Sequence, residues 1–245
     1  PGTIPAARQH LIDDIAKLAR RKRRAALPLP AFVQAYYRGV GEEDLQLRDA
    51  AAFAAAAAGH LEFGTMRRAG EPKVRVFNPE QARDGWESPY TIVEVVTEDM
   101  PFLVDSLAVV LGDSRLPIQL MIHPVLRIAR DRRGKLLSME EHDGALGTME
   151  SWQHVAVPRI GDPARHAALS QNILRMLEDV RFAVSDWPAM RKRALEIARD
   201  VNAGVPAIPR REEKEAVEFI EWLADNHFTF LGYREYKLER TRSVD

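Results

Sequence analysis

The chain has 245 residues, 46% of them hydrophobic and 29% charged, with a formal net charge of −1. This globular balance argues against disorder and against polyanion binding by the chain as a whole. It contains no cysteine, which excludes disulfides, thiolate catalysis and cysteine-based zinc sites within it.

The first 24 residues predict a helix over 7–23, with Leu11, Ile12, Ile15, Leu18 and Ala19 at helical spacing. Basic "RRKRR" (20–24) closes it, where cations suit the helix dipole. Without a second basic stripe carrying aromatics, that run does not predict nucleic-acid binding. "LPLP" (27–30) breaks the chain, and Pro30 suits the first turn of a second helix reaching about Val40. A third helix is expected over 42–64, packed through its alanine run. From Lys73 the period changes. "KVRVF" (73–77) alternates as a strand, and "YTIVEVV" (90–96) is apolar on both faces except at Glu94, as in a strand covered on both sides.

After the turn at "EDMPF" (98–102), Leu103, Val104, Leu107, Val110 and Leu111 mark a helix. "IQLMIHPVLRIARD" (118–131) reads as one long strand, with Pro124 calling for an edge or a bulge. "DRRG" (131–134) is a hairpin turn, residues 140–150 an excursion loop, and "SWQHVAV" (151–157) a further strand. Leu169, Ile173, Met176, Leu177, Val180, Val184 and Trp187 hold a helical period, while Val180, Phe182 and Val184 also fit a short strand. Pro188 is expected to stop that helix, with Asp186 capping another over 188–202. A linker, a helix over 211–226 with Val217, Ile220 and Leu223 inward, and a strand at 228–239 without a partner complete the chain. From Tyr90 the order is strand, helix, strand, strand, helix and a possible last strand. That predicts an α+β fold, a ferredoxin-type βαββαβ sandwich flanked by N-terminal and C-terminal helices.

Chemical motifs are sparse. The sequence has neither G-x-G-x-x-G nor G-x-x-x-x-G-K-[ST], and "GVGEED" (39–44) reads as a helix C-cap and turn. The seven histidines form no H-E-x-x-H set, so no metal site is predicted. "EEHD" (140–143) reads as a solvated loop, with weak divalent-ion binding as the alternative. His123 and His154 fall on neighbouring predicted strands, where they could face each other and either bind a ligand or satisfy one another. "VDS" (104–106) cannot be half of a hydrolase triad, because adjacent helix positions do not face each other. No G-x-S-x-G elbow occurs, so no catalytic residue is assigned. The apolar runs are far below the ~18 residues of a membrane span, and no basic leader precedes one, so a cytoplasmic location is expected. A start at Pro1 and a stop at Asp245, just after a strand-like segment, suggest a fragment of a longer protein.

Six runs in order, "KVRVFNP", "GWESPYTIVEVVTEDMPFLVDS", "IHPVLRIARDRRGKLL", "ESWQHVAV", "DVRFAVSDWPAM" and "FTFLGYREYKLE", carry a resemblance. The chain resembles, over roughly residues 7–239, the N-terminal region of the large bacterial NAD-specific glutamate dehydrogenases. The resemblance implies an ACT-like domain over 73–187 with a leading strand. A helical segment (1–72) would precede it, and a helical connector (188–227) and the first strand of a further module (228–245) would follow. It implies a parent that oxidatively deaminates glutamate to 2-oxoglutarate with NAD. This stretch would be non-catalytic and cofactor-free, serving regulation and homo-oligomer assembly with the rest of the parent chain. ACT domains commonly take an amino acid at a D-x-P-G-L turn, to which Asp99, Met100, Pro101, Phe102 and Leu103 correspond, with Phe102 in the glycine position. A benzyl group there is expected to fill or plug the pocket. The alternatives are an amino-acid sensor using this turn and His123, and a stand-alone ferredoxin-like enzyme using His123 and His154.

Overall fold

The structure, a computed structural model, describes residues 5–19, 28–140, 147–204 and 209–236. The chain divides into two compact units, Pro1–Glu178 and Asp179–Asp245.

In the first unit, helices α1 (Ala6–Ala19), α2 (Leu29–Tyr37), α3 (Glu42–Leu45) and α4 (Ala50–Gly64) come first. α1 buries Ile12, Ile15, Ala16 and Ala19, one stripe at helical spacing. α2 starts with a proline in its first turn and buries Phe32, Val33, Tyr36 and Tyr37. The Tyr37 hydroxyl donates to the Phe53 carbonyl at 2.7 Å, tying α2 to α4. The continuous helix expected over 42–64 is broken at Asp49. Its backbone is extended (φ −69, ψ 157) and its carboxylate accepts the Ala52 N–H at 2.6 Å, so it caps α4 and cannot also lie inside a helix. The basic run at 20–24 lies outside the described residues.

The sheet follows: β1 (Lys73–Phe77), β2 (Tyr90–Glu98), β3 (Leu120–Ile122), β4 (Val125–Arg130), β5 (Leu136–Glu140) and β6 (Thr148–Pro158). Its order is β1-β2-β6-β4-β5, with β3 also against β6, and every pair is antiparallel. A one-turn helix α5 (Gln81–Asp84) sits in the β1–β2 connection, and α6 (Leu103–Asp113) crosses over after β2. β2 and β6 are the two long central strands, which is why both read as buried runs. β6 starts at Thr148, inside the expected loop, and 141–146 lie outside the described residues.

Alternation assigns the two faces. Ile92 and Val96 of β2, Ile122 of β3, and Trp152 and Ala156 of β6 share one core with α1, α2 and α4. Val93, Val95, Val155 and Val157 are buried on the other parity. The remaining apolar stripes cover that face: Leu103, Leu107 and Leu111 of α6, with Leu169, Ile173 and Leu177 of α7 (Pro163–Asn202). The result is an α+β, ACT-like architecture with helices on both sheet faces.

The predicted long strand is split at His123–Pro124. Proline cannot donate to a ladder, and the Trp152 N–H bridges the gap by donating to the Pro124 carbonyl at 3.0 Å. The "DRRG" hairpin forms as expected. The Asp131 carboxylate accepts the Arg133 and Lys135 N–H groups at 2.8 and 2.9 Å, and Gly134 takes the φ of +87° that the turn needs.

Residues 180–184 are helical, and the outer edge beside β2 is occupied by β1 instead of a closing strand. α7 continues through Pro188 to Asn202, so neither the predicted stop nor an Asp186 cap occurs. Proline removes one donor to the carbonyl four residues earlier, and a long helix tolerates that loss.

In the second unit, α8 (Arg210–Trp222) leads into a π-helical turn at Leu223–His227. Arg191 Nε donates to the Ala224 carbonyl at 2.7 Å. Residues 228–236 form no strand, and 237–239 lie outside the described residues. A strand needs a ladder partner; here the segment is held by side chains, with Arg193 Nη2 donating to Glu235 at 3.0 and 3.1 Å. Val217, Ile220 and Leu223 are half-buried, while Phe219 and Trp222 are exposed and stack at 6.2 Å.

Candidate functional site

The turn between β2 and α6 holds the predicted ligand residues. The Asp99 N–H donates to the Met149 carbonyl at 2.9 Å, which ties the turn to the sheet. Met100 is half-buried, Pro101 exposed and Leu103 buried. Phe102 is the N-cap of α6 with φ 72 and ψ 1, the left-handed region that favours glycine. The backbone therefore keeps the shape of a glycine turn although the side chain is benzyl. That side chain is 43% exposed, so it is not plugged into the core as expected. Replacing Phe102 with Gly removes the left-handed strain and gives up little burial. The expected result is a gain of about 1 kcal/mol in unfolding free energy by urea titration.

His123 is half-buried and shares a 2.9 Å hydrogen bond with Ser151 Oγ, which also accepts Gln153 Nε2 at 3.2 Å. Burial lowers the His123 pKa, and the nearby Asp99 carboxylate opposes that shift. The fold thus places His123 within electrostatic reach of Asp99. Ser151 and Gln153 were missed. Two polar residues of one parity in an otherwise apolar strand were the available signal.

His123 and His154 do not face each other. Ile122, one residue earlier, is the register partner of His154, so the two imidazoles point to opposite faces of the sheet. This removes the pair on which a stand-alone enzyme would rest.

His154 belongs instead to a buried polar group on the helix-covered face. Glu94 lies directly across from it in register and is flanked by Arg75 of β1 on its other side. His154 Nδ1 lies 3.1 Å from Glu94 Oε1, and Arg75 Nε donates to Glu94 Oε2 at 2.6 Å. His60 of α4 reaches down to the same place, its Nδ1 2.7 Å from the Tyr36 hydroxyl. The Arg75 guanidinium packs over Phe63 and Phe77, 4.7 and 4.5 Å from their ring centres.

Burial pushes His60 down to about 4 and also lowers His154, so both imidazoles are neutral near pH 7. Burial alone would raise Glu94, but His60, the hydrogen bond from His154 and the Arg75 charge outweigh it and hold the carboxyl at about 2. Burial also raises the Tyr36 phenol, which stays protonated. A cleft of about 850 Å³ runs along this side of β1, lined by Ala55, Gly59, Phe63, Arg75, Trp86 and Glu94 among others. None of the residues of the β2–α6 turn lines it. Sequence reasoning noticed Glu94 as the polar exception in β2 but not His60, which sat unremarked in an alanine-rich helix.

The description "Glutamate dehydrogenase, ACT1 domain" belongs to a family model that matches residues 32–173. The chain is 35% identical over 224 residues to the NAD-specific glutamate dehydrogenase of Halomonas elongata, covering 90% of the chain and 14% of that protein. It is 35% identical over 170 residues to the same-named protein of Pseudomonas aeruginosa, covering 69% of the chain and 10% of the relative. For the Mycobacterium tuberculosis protein of that name the identity is 28% over 185 residues, with 73% and 11% covered. The chain therefore spans only a small part of the length of these relatives.

Proposed function

The chain belongs to the family of the glutamate dehydrogenase ACT1 domain, and on that premise we propose that it is a regulatory and assembly module of a large NAD-specific glutamate dehydrogenase. The parent oxidises glutamate to 2-oxoglutarate and ammonia with NAD, and this module does no chemistry itself. The observation that carries the reading is the alignment: 90% of the chain matches a protein of which it is only 14%.

The module works by contact with the rest of the parent and with other copies. The second unit offers a surface suited to that role. Phe219, Trp222, Phe228 and Leu231 are each at least half exposed, more apolar area than an unpartnered surface usually leaves in one short segment. Differential burial of such a surface between two quaternary states would bias a distant active site. Light scattering across a hundredfold concentration range is the test. The expected result is a mass that rises above the 27.7 kDa of one chain. A 27.7 kDa species throughout contradicts self-assembly.

A second reading, amino-acid sensing, is supported by the β2–α6 turn. Its glycine-like backbone at Phe102 and the nearby Asp99, His123 and Ser151 supply groups that an α-amino acid could bond. Calorimetry against the twenty amino acids tests it. Sensing requires heat from at least one of them that disappears in the Asp99→Asn variant, and no heat at millimolar concentration rules it out.

A further inference from the structure

We propose that His60, Glu94 and His154 form a binding site for a divalent transition-metal ion of the zinc class. The three residues come from α4, β2 and β6, and one ligand atom from each can be chosen so that all lie within 4.8 Å of one another. Ligands about 2.1 Å from a tetrahedral ion stand roughly 3.4 Å apart, so small side-chain rotations close the set.

The hydrogen bonding already sets two of the three donors at ligand spacing. His154 Nδ1 and Glu94 Oε1 stand 3.1 Å apart, so an ion that displaces the proton between them is held by both, while His60 spends Nδ1 on the Tyr36 hydroxyl and offers Nε2. His60 Nε2 is buried without a hydrogen bond of good geometry, although the Val95 backbone also acts on this ring. A buried ring nitrogen without a well-formed partner is rare, and the ring that carries this one lies in one cluster with Glu94 and His154. Both histidine side chains are completely enclosed, so bulk water does not satisfy them.

The donor set chooses the ion. Two neutral imidazoles and a single carboxylate suit a nitrogen-preferring transition ion. Magnesium and calcium need several oxygens, and here one carboxylate is already shared with Arg75. That guanidinium fixes the carboxylate, leaving Oε1 on the histidine side. The route in is the cleft beside β1, which Glu94 and Arg75 line.

The test uses the 245-residue chain stripped with chelator and titrated with zinc chloride, with magnesium chloride as the comparison. Four other histidines, His10, His142, His166 and His227, are replaced together by alanine to remove adventitious binding. The expected result is one zinc per chain, unchanged in that fourfold variant, at least tenfold weaker in Glu94→Gln and His154→Gln, and no magnesium binding. No zinc binding, loss of zinc in the fourfold variant, or unchanged affinity in both core variants overturns the site. X-ray absorption of the zinc-loaded unsubstituted chain decides the matter if the core variants do not fold. Two imidazole nitrogens around the ion uphold it, and fewer than two overturn it.

Discussion

Replacing Glu150 with Gln should lower the unfolding free energy of the first unit by about 3–5 kcal/mol. Glu150 is completely buried, and its carboxylate is the shared acceptor of two guanidinium groups. Oε1 accepts Arg67 Nη2 at 2.8 Å and Arg130 Nε at 2.7 Å, and Oε2 accepts Arg130 Nη2 at 2.8 Å. Both arginine side chains are themselves almost wholly enclosed. The amide keeps the shape and loses the charge, which leaves two buried cations with only the more distant, partly exposed Glu98 near Arg67. The network also positions backbone: Arg130 Nη1 donates to the carbonyls of Thr65 and Gly134, joining the end of α4 to the β4–β5 hairpin. A control isolates burial as the cause. The Arg211–Glu215 pair on α8 has a comparable 3.0 Å contact but is solvent-exposed, so Glu215→Gln should leave the urea midpoint unchanged.

The second large effect concerns Trp152, which has no exposed surface and packs 5.4 Å from Phe32 and 5.2 Å from His60, ring centre to ring centre. Trp152→Ala should cost about 3–5 kcal/mol by leaving a cavity beneath α2 and α4. Its neighbour Gly64 gives a sharper result. A Cβ on Gly64 would overlap the far edge of the indole, standing 2.9 Å from Cζ2 with two other ring atoms nearer still. Gly64→Ala should therefore cost about 2–3 kcal/mol in the unsubstituted chain, even though alanine is the better helix former by roughly 1 kcal/mol. In a Trp152→Ala background the same change should be neutral or stabilising. A double-mutant cycle followed by circular dichroism reads that change of sign, and equal costs in both backgrounds contradict the packing described.

How far the sequence could be read varied with the range of the interactions involved. β2 was legible because a strand buried on both faces has no polar parity, and Glu94 stood out within it for the same reason. The strand, helix, strand, strand, helix order from Tyr90 followed from period changes and from turns such as "DRRG", whereas the possible last strand at 180–184 is helix. Local competition was harder. Asp49 could extend a helix or cap one, and its carboxylate took the cap. Pro124 was read as an edge or bulge within one strand and Pro188 as a helix stop, yet the first splits the strand and the second lies within a helix, because the surroundings decide what replaces the missing donor.

The buried cluster was not legible at all. It needs the β2–β6 register that sets Glu94 opposite His154, and it needs α4 to lie over that pair so that His60 reaches it. Both depend on contacts between residues far apart in sequence. At the β2–α6 turn the residues were found, but the backbone angle of Phe102 and its exposure were not, since a benzyl group in a glycine position suggests packing from sequence alone.

The most direct test of the proposed role uses the full-length parent enzyme with the segment corresponding to residues 1–245 removed. Its solution mass and its steady-state rate of glutamate-dependent NAD reduction are measured side by side. A regulatory and assembly module predicts a changed oligomeric mass or a shifted glutamate saturation curve, with turnover per dehydrogenase domain kept within about tenfold, a change of roughly 1.4 kcal/mol in the barrier. A native mass with an unchanged saturation curve would contradict it, and so would a native mass with abolished turnover, because the segment would then be taking part in the chemistry.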